Sequence, residues 1–435
     1  VTVLEFQVEW EEAPRVQSPV LAATWARLEI RLGGHPVTRF WSEPVNAVRA
    51  GVHGSVFPLA QWIVRNWWHL LEEGIPHPEV LRGARGSHAR NRSWLERHNL
   101  LLSRDGMAYP DLSVYREDEF VCVRWVPDSE DVTTPGRFLG EGAARLGRTD
   151  AEASMASLVE SVLERTATFA EAEATELRAD WEAIGESNDS ERNLCARLAG
   201  LGLDPYAADL DETVEDTLSS DLGLPDLALR DLLAATATER LEADLRAARQ
   251  LITGLPNMSG SSDRAANGTP YDPRPYRAGY RRAEFLRQQF GFEPDSPVVD
   301  ITDVARRLLG AVTLDWIVPV AQSGVEGAVQ RDGTCALTAA ERSAPAQRFL
   351  LGRALHHWQF VTQGPSAVRL LTRANDWQQS ASRAFAAELL APAAALAARL
   401  EGRSAWDTQI HEELARELQV SPMVIAHQIE NHGLG

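Results

Sequence analysis

Residues 256–276, PNMSGSSDRAANGTPYDPRPY, carry almost no apolar side chain and are dense in Pro, Gly, Ser and Asn. Such a stretch buries too little to offset the entropy of ordering it, and its residue types punctuate helices and strands rather than extend them. A chain of 435 residues interrupted in this way is expected to fold as separately cored parts. With the linker drawn at 256–274, the parts are a Trp-rich α+β domain at 1–135, an acidic helical domain at 136–255, and a third domain at 275–435.

The first 130 residues mix two periodicities. VTVLEFQVEW, WARLEIRL, DLSVYR and EFVCVRWV alternate or run apolar over strand lengths, punctuated by Gly33-Gly34, Pro110-Asp111 and PDSED at 127–131. Between them FPLAQWIVRNWWHLLEE places Leu59, Trp62, Ile63, Asn66, Trp67 and Leu70 at helical spacing, an amphipathic helix to lie on a sheet. Eight of the 13 tryptophans fall in residues 1–125, a density that reads as core rather than as a ligand platform. Residues 140–250 read as helix, with breaks at Gly200, Gly202, Pro205 and around Leu222–Pro225, and no heptad persists. A small helical bundle is expected there.

The formal net charge of −19 is concentrated in one place. Residues 1–150 hold 20 acids and 17 arginines, residues 251–435 hold 19 and 18, and residues 151–250 hold 23 and 8, a local excess of 15 acids. Such a segment repels phosphate backbones, so nucleic acid is not the expected partner of this region. A solvated helical face is the plain reading; the functional one is a docking surface for a basic protein partner, or a nucleic-acid-mimicking surface, with the Trp-rich N-terminal domain also docking the protein partner.

All 43 basic residues are arginine. A GC-rich genome accounts for this, as does selection against lysine, and either way P-loop and Schiff-base or pyridoxal-phosphate lysine chemistry is excluded. Cys122, Cys195 and Cys335 lie too far apart in sequence for a disulfide framework or a CxxC metal site. No apolar run approaches the roughly 18–20 residues of a membrane helix, and the N-terminal segment reads as a strand rather than a secretory signal. The expectation is a cytoplasmic protein with no membrane partner and no cofactor.

Beyond the linker the order is helix, short helix (Asp303 to Leu309), strand, a hairpin turning at Arg331–Gly333, and a strongly apolar helix through SAPAQRFLLGRALHHWQFV. Gly279-Tyr280, Ala283, Leu286-Arg287, Asp300-Ile301, Gly327-Ala328, Arg348-Phe349, Phe385-Ala386-Ala387-Glu388-Leu389-Leu390-Ala391-Pro392 and Val420-Ser421 occur in that order. Across 275–435 this pattern resembles the ImmA/IrrE family of zincin-like metallopeptidases, found in bacteria beside phage-type repressors. The resemblance implies a zincin-like α+β domain and a zinc-binding HExxH helix with a third ligand from a later helix.

In HExxH the two histidines, one turn apart on one helical face, bind zinc, and the glutamate activates the metal-bound water. Aligned on Arg348-Phe349, those five positions fall on Arg353, Ala354, Leu355, His356 and His357. The first ligand has become arginine and the general base alanine, and only His357 survives. The family's third ligand, a glutamate shortly before FAAELL, falls in Gln378–Ala381, which has no carboxylate. No peptidase chemistry and no metal site are expected. Arg353, His356, His357, Gln378 and Gln379 are then candidates to line a degenerate cleft that binds a phosphate, nucleotide or peptide carboxylate. The plainer reading is Arg353 paired with an acid of its own domain and His357 buried in the core.

Other motifs are weaker. His411-Glu412-Glu413-Leu414-Ala415 starts like HExxH but lacks the second histidine. Asp111 and Glu119 begin like a nuclease motif that then requires lysine. His53, His69, His88 and His98 show no ligand spacing. The last residues, TQIHEELARELQVSPMVIAHQIENHG, have helix–turn–helix periodicity, but the second helix has no arginine and carries Glu430, so a structural cap is expected rather than a DNA reader. The expected function is a non-enzymatic regulator or sensor in a stress, phage-repressor or defence setting. An enzyme with a rebuilt or N-terminal active site is the alternative, and a DNA-binding regulator the third.

Overall fold

The structure, a computed structural model, describes residues 2–103, 106–128, 136–255, 272–298, 300–309, 313–317, 323–330, 334–338, 342–360 and 367–434. Most of the sequence-assigned linker and the hairpin turn at Arg331–Gly333 lie outside the described residues. The fold is mixed α+β, mostly helical with several small sheets. Two compact units divide at Ser220/Asp221, not at the linker.

In the first unit the strand Leu4–Trp10 pairs antiparallel with Trp25–Leu32, in register from Leu4↔Leu32 to Trp10↔Ala26. Ala26, Leu28, Ile30 and Leu32 alternate inward and are buried, as a period of two requires. A second sheet runs in the order Gly142–Gly147, Phe120–Val126, Asp111–Glu117. Its outer strand, Gly142–Gly147, was expected to be helical. It is held because its backbone completes the ladder with Val121 to Trp125. The long amphipathic helix is two helices, Phe57–Arg65 and Trp67–Glu72. They part at Asn66 (φ −111°, ψ 14°), whose backbone amide and Nδ2 both donate to the Trp62 carbonyl, at 3.1 and 2.8 Å.

The helix Arg148–Phe169 packs on Leu4–Trp10 and on Phe57–Arg65. Met155, Val159, Leu177 and Cys195 therefore share one core with Leu28 and Ile63. The front of the acidic segment completes this core rather than forming a separate bundle. Its surplus acids, among them Glu160, Glu164, Glu173, Glu182, Glu186, Glu212 and Glu215, remain exposed.

In the second unit the sheet order is Thr313–Ile317, Thr334–Thr338, Val325–Gln330, Val368–Thr372. The first pair is parallel and the other two are antiparallel. The strand Val368–Thr372 was not read from the sequence. The helices Ala344–Phe360 and Trp377–Leu390 pack together, and Pro275–Gln289 packs on Trp377–Leu390. That last approach depends on Gly279, where a Cβ would stand 2.4 Å from the Ala381 carbonyl oxygen and 2.7 Å from the Ala384 Cβ. Phe385, at the centre of the FAAELL segment, is fully buried. The terminal helices Thr408–Leu418 and Pro422–His432 close this core, with Gln428 Nε2 donating to Glu388 Oε2 at 2.7 Å and to the Ala391 carbonyl at 3.0 Å.

Two helices from the rear of the acidic segment, Asp226–Leu233 and Leu241–Thr253, belong to this second unit. Each is tied to the sheet by a buried aspartate. Asp231 accepts from Arg369 Nη2 at 2.8 Å and from the Leu370 amide at 2.9 Å. Asp244 accepts from Ser323 Oγ at 2.7 Å, the Gly324 amide at 3.1 Å and Thr236 Oγ1 at 2.6 Å. Composition assigned these acids to a solvated face. Burial beside donors that only the folded sheet supplies makes them anchors. No single helix among the described residues is long and apolar enough to cross a membrane.

Removing one side of a buried ion pair strands the other charge, at a cost of roughly 3–5 kcal/mol. Asp231→Ala is therefore expected to destabilise the second unit by that order, seen as faster amide exchange in Val368–Thr372 with the first unit's exchange unchanged. Unaltered exchange in that strand would remove Asp231 as an anchor.

Candidate functional site

The helix Ala344–Phe360 carries Pro345, Ala346, Phe349, Leu350 and Arg353 along one face, at the three- and four-residue spacing of a helical stripe. Trp377–Leu390 contributes Ser380, Arg383, Ala384 and Ala387, and Pro422–His432 contributes Val424, His427, Gln428 and Asn431. Together with Tyr276 and Tyr280, and with Glu326, Arg342 and Arg373, these faces enclose a cleft of about 570 Å³. Its size is that of a small-molecule site.

Arg353 is 2% exposed and lies at the floor. Its guanidinium pairs with Glu326 and donates to the Thr372 carbonyl at 2.7 Å, Gln379 Oε1 at 2.6 Å and Ser382 Oγ at 3.2 Å. Gln379 is itself tightly held, since Oε1 also accepts from the Thr372 amide (3.1 Å) and Nε2 donates to the Leu370 carbonyl (2.7 Å). The position aligned with the first HExxH ligand thus touches a residue of the segment aligned with the third. A guanidinium–carboxamide contact stands where a metal would need two electron-pair donors. These residues do not fit a zinc ion, and no step can be written through one. Among the described residues no group of three or more His, Cys, Asp and Glu side chains is arranged to hold a metal.

His356 and His357 point into the core, are fully buried, and are not among the residues lining the cleft. His356 Nε2 lies 2.8 Å from Arg282 Nη1. Arginine only donates, so this nitrogen accepts and the ring is neutral with its proton on Nδ1. Burial first, then the arginine field, holds both imidazoles well below their ordinary range: Arg282 for His356, and Arg369 and Arg353 for His357. Gln378 is buried and also away from the cleft wall. Of the five sequence candidates only Arg353 opens onto the cleft, with Gln379 behind it.

The residues missed from sequence set the cleft's charge. Glu326 accepts from Arg342 at 3.1 Å and Arg373 at 3.3 Å in addition to Arg353. Burial alone would raise its carboxyl. The three arginines, Arg353 foremost, overcome that and hold it below the ordinary carboxylate range. Arg383 bonds Ser380 Oγ at 3.1 Å and Asn375 Oδ1 at 3.5 Å, and neither is an acid. Burial, and then repulsion by Arg353, push its pKa down to about 10. The available signal was the polar pair Ser380 and Arg383, one turn apart on the helix Trp377–Leu390. Arg342 precedes the helix Ala344–Phe360 and Arg373 follows the strand Val368–Thr372, and no periodicity marks either.

Polar groups of the first unit are engaged in structure. Asp111, the suggested nuclease acid, accepts from the Ala84 amide (2.9 Å) and from Asn99 Nδ2 (2.7 Å). His98 bridges the Val114 carbonyl (2.6 Å) and Glu73 (2.9 Å) and stacks on Trp94. A hollow of about 470 Å³ there is lined by Trp67, Trp68 and Trp181, but its arginines are taken up by Glu72 and Glu152 or by backbone carbonyls. His411 of the decoy motif bonds the Ala405 carbonyl at 2.7 Å. No protein-family model matches the chain, and no curated protein matches it.

Two outcomes follow from this geometry. Arg353→Ala leaves the buried Glu326 and Gln379 short of a donor and is expected to cost roughly 3–5 kcal/mol of second-unit stability in denaturant unfolding. A loss under about 1 kcal/mol, as for an exposed pair, would deny it that role. His356 and His357 are neutral when folded and free to charge when unfolded. The unfolded chain therefore binds more protons below pH about 6.5, and stability falls as pH drops through that range by up to about 1.4 kcal/mol per unit for each ring. His356→Leu should flatten the slope between pH 6.5 and 5 by up to that amount, and an unchanged slope would mean that this ring is not held neutral.

Proposed function

We propose that the protein is a non-catalytic regulator or sensor whose second unit is built on an inactive ImmA/IrrE-type peptidase domain. The observation that carries the reading is the Arg353–Gln379 contact. Two segments 26 residues apart in sequence, each picked out by resemblance as a former metal-ligand site, meet within hydrogen-bond distance around a cleft. Such a meeting is what common descent from a metal site requires, and the replacement of ligand and base by Arg353 and Ala354 accounts for lost hydrolysis. What remains is an arginine-rich cleft suited to recognition.

The setting we infer is bacterial and cytoplasmic, beside a phage-type repressor, a stress response or a defence system. Three buried free thiols suit a reducing compartment. The exposed acids of residues 151–216 favour a basic protein partner for the first unit, docking there together with the Trp-rich region, of which Trp62, Trp67, Trp68 and Trp94 are buried. The helix Pro422–His432 turns His427, Gln428 and Asn431 to the cleft, which counts against a DNA-reading role for it.

The test is metal content and proteolysis of the purified chain after incubation with zinc. Sub-stoichiometric zinc and no cleavage of a casein-type substrate are expected. Stoichiometric zinc that disappears in His357→Ala would overturn the proposal in favour of an enzyme with a rebuilt site.

A further inference from the structure

The cleft of the second unit has an imbalance of charge that its own residues do not resolve. Arg342, Arg353 and Arg373 converge on the single carboxylate of Glu326. Arg383, one turn beyond Ser380 on the helix Trp377–Leu390, has no carboxylate within ion-pair distance among the described residues. Among the described residues four guanidinium groups thus face one carboxylate, an excess of three positive charges. Asp376, which caps the Trp377–Leu390 helix through the Gln379 amide, acts on Arg383 only through its field. Counting it still leaves an excess of two.

The rest of the same lining differs in character. Tyr276 and Tyr280, one turn apart with ring centroids 6.1 Å apart, stand with Phe349 and Val424 as an aromatic and apolar wall, while Asn431 supplies amide donor and acceptor groups. An excess of two to three charges matches the dianion of a phosphate monoester, about −1.5 to −2 at neutral pH, better than a single carboxylate. Planar guanidinium forks bind phosphate oxygens in bidentate pairs, and half-buried ones do so with little water to screen them. A ring on an aromatic wall joined to a phosphate on an arginine cluster describes a molecule of nucleotide size, and about 570 Å³ accommodates one.

We propose that this cleft binds a small organic phosphate monoester carrying a flat ring, of nucleoside monophosphate size, with the phosphate on Arg383, Arg373, Arg342 and Ser380 and the ring against Tyr276 and Tyr280. Glu326 and the buried Arg353 hold the subsite in place from beneath. The proposal rests on the cleft being a recognition site rather than a metal centre, and names the chemistry that it recognises.

Calorimetric titration of the full-length protein with AMP, GMP, inorganic phosphate, adenosine and a phosphoserine peptide tests it. At least one monophosphate is expected to bind, inorganic phosphate more weakly, and adenosine not at all, with affinity falling as salt is raised. Arg383→Gln removes a charge-assisted contact and should weaken binding roughly ten- to a hundredfold. Arg373→Gln, whose side chain is 66% exposed and therefore safe for folding, should weaken it in the same direction. Arg65→Gln, in the first unit, should not. No binding of either monophosphate at millimolar concentration, binding indifferent to both cleft variants, or binding of the phosphopeptide alone would each overturn the proposal. A chain free of zinc and without peptidase activity that fails these titrations loses only the ligand assignment. A zinc-loaded, active chain loses the recognition reading itself.

Discussion

A buried carboxylate that must be shared organises the second unit. Glu326, on an interior strand, is 7% exposed and cannot be left ionised without partners. Arg353 meets that need from the helix Ala344–Phe360, and in doing so engages the Thr372 carbonyl, Gln379 and Ser382. One guanidinium therefore links a strand, the next strand's end and two helices. Because it is satisfied on all sides it is a structural residue first. The cleft above it inherits a positive floor that Arg342, Arg373 and Arg383 reinforce.

The same logic appears where the acidic segment meets the sheet. Asp231 and Asp244 are buried acids whose lone pairs are met by backbone amides, hydroxyls and Arg369. Each replaces water with donors fixed by the fold, so the helices that carry them belong to the second unit although composition groups them with the first. Charge counted along the chain reports an excess of acids. Which acids face solvent and which brace a sheet is set by whether donors lie within reach.

Much of the local structure was legible because its signals are local. The strands Leu4–Trp10, Trp25–Leu32 and Phe120–Val126 follow from alternation, and the turns between them from Gly and Pro. The helix Phe57–Glu72 was legible as an apolar stripe but not as two helices, since the break is a departure of Asn66 from helical dihedrals (φ −111°, ψ 14°) that no Pro or Gly announces. The strands Gly142–Gly147 and Val368–Thr372 were missed because short strands are stabilised by their neighbours in the ladder. For the cleft, Arg353 and Gln379 were singled out only through the family resemblance, whereas Glu326, Arg342 and Arg373 come from strands and loops that only the sheet order brings together.

The sequence by itself determined the absence of lysine chemistry, the arginine and alanine at Arg353 and Ala354 where a metal ligand and a general base would be needed for zinc hydrolysis, and the helix and strand periods of both units, because each is a property of residue type at a given spacing. Tertiary structure decided the rest. It turned His356 and His357 into neutral core side chains, put Arg353 rather than either histidine at the cleft floor, and moved the division of the chain from the linker to Ser220/Asp221. The physical reason is common to all three. Burial penalises charge and unpaired polar groups, and the partners that relieve the penalty lie tens of residues away in sequence.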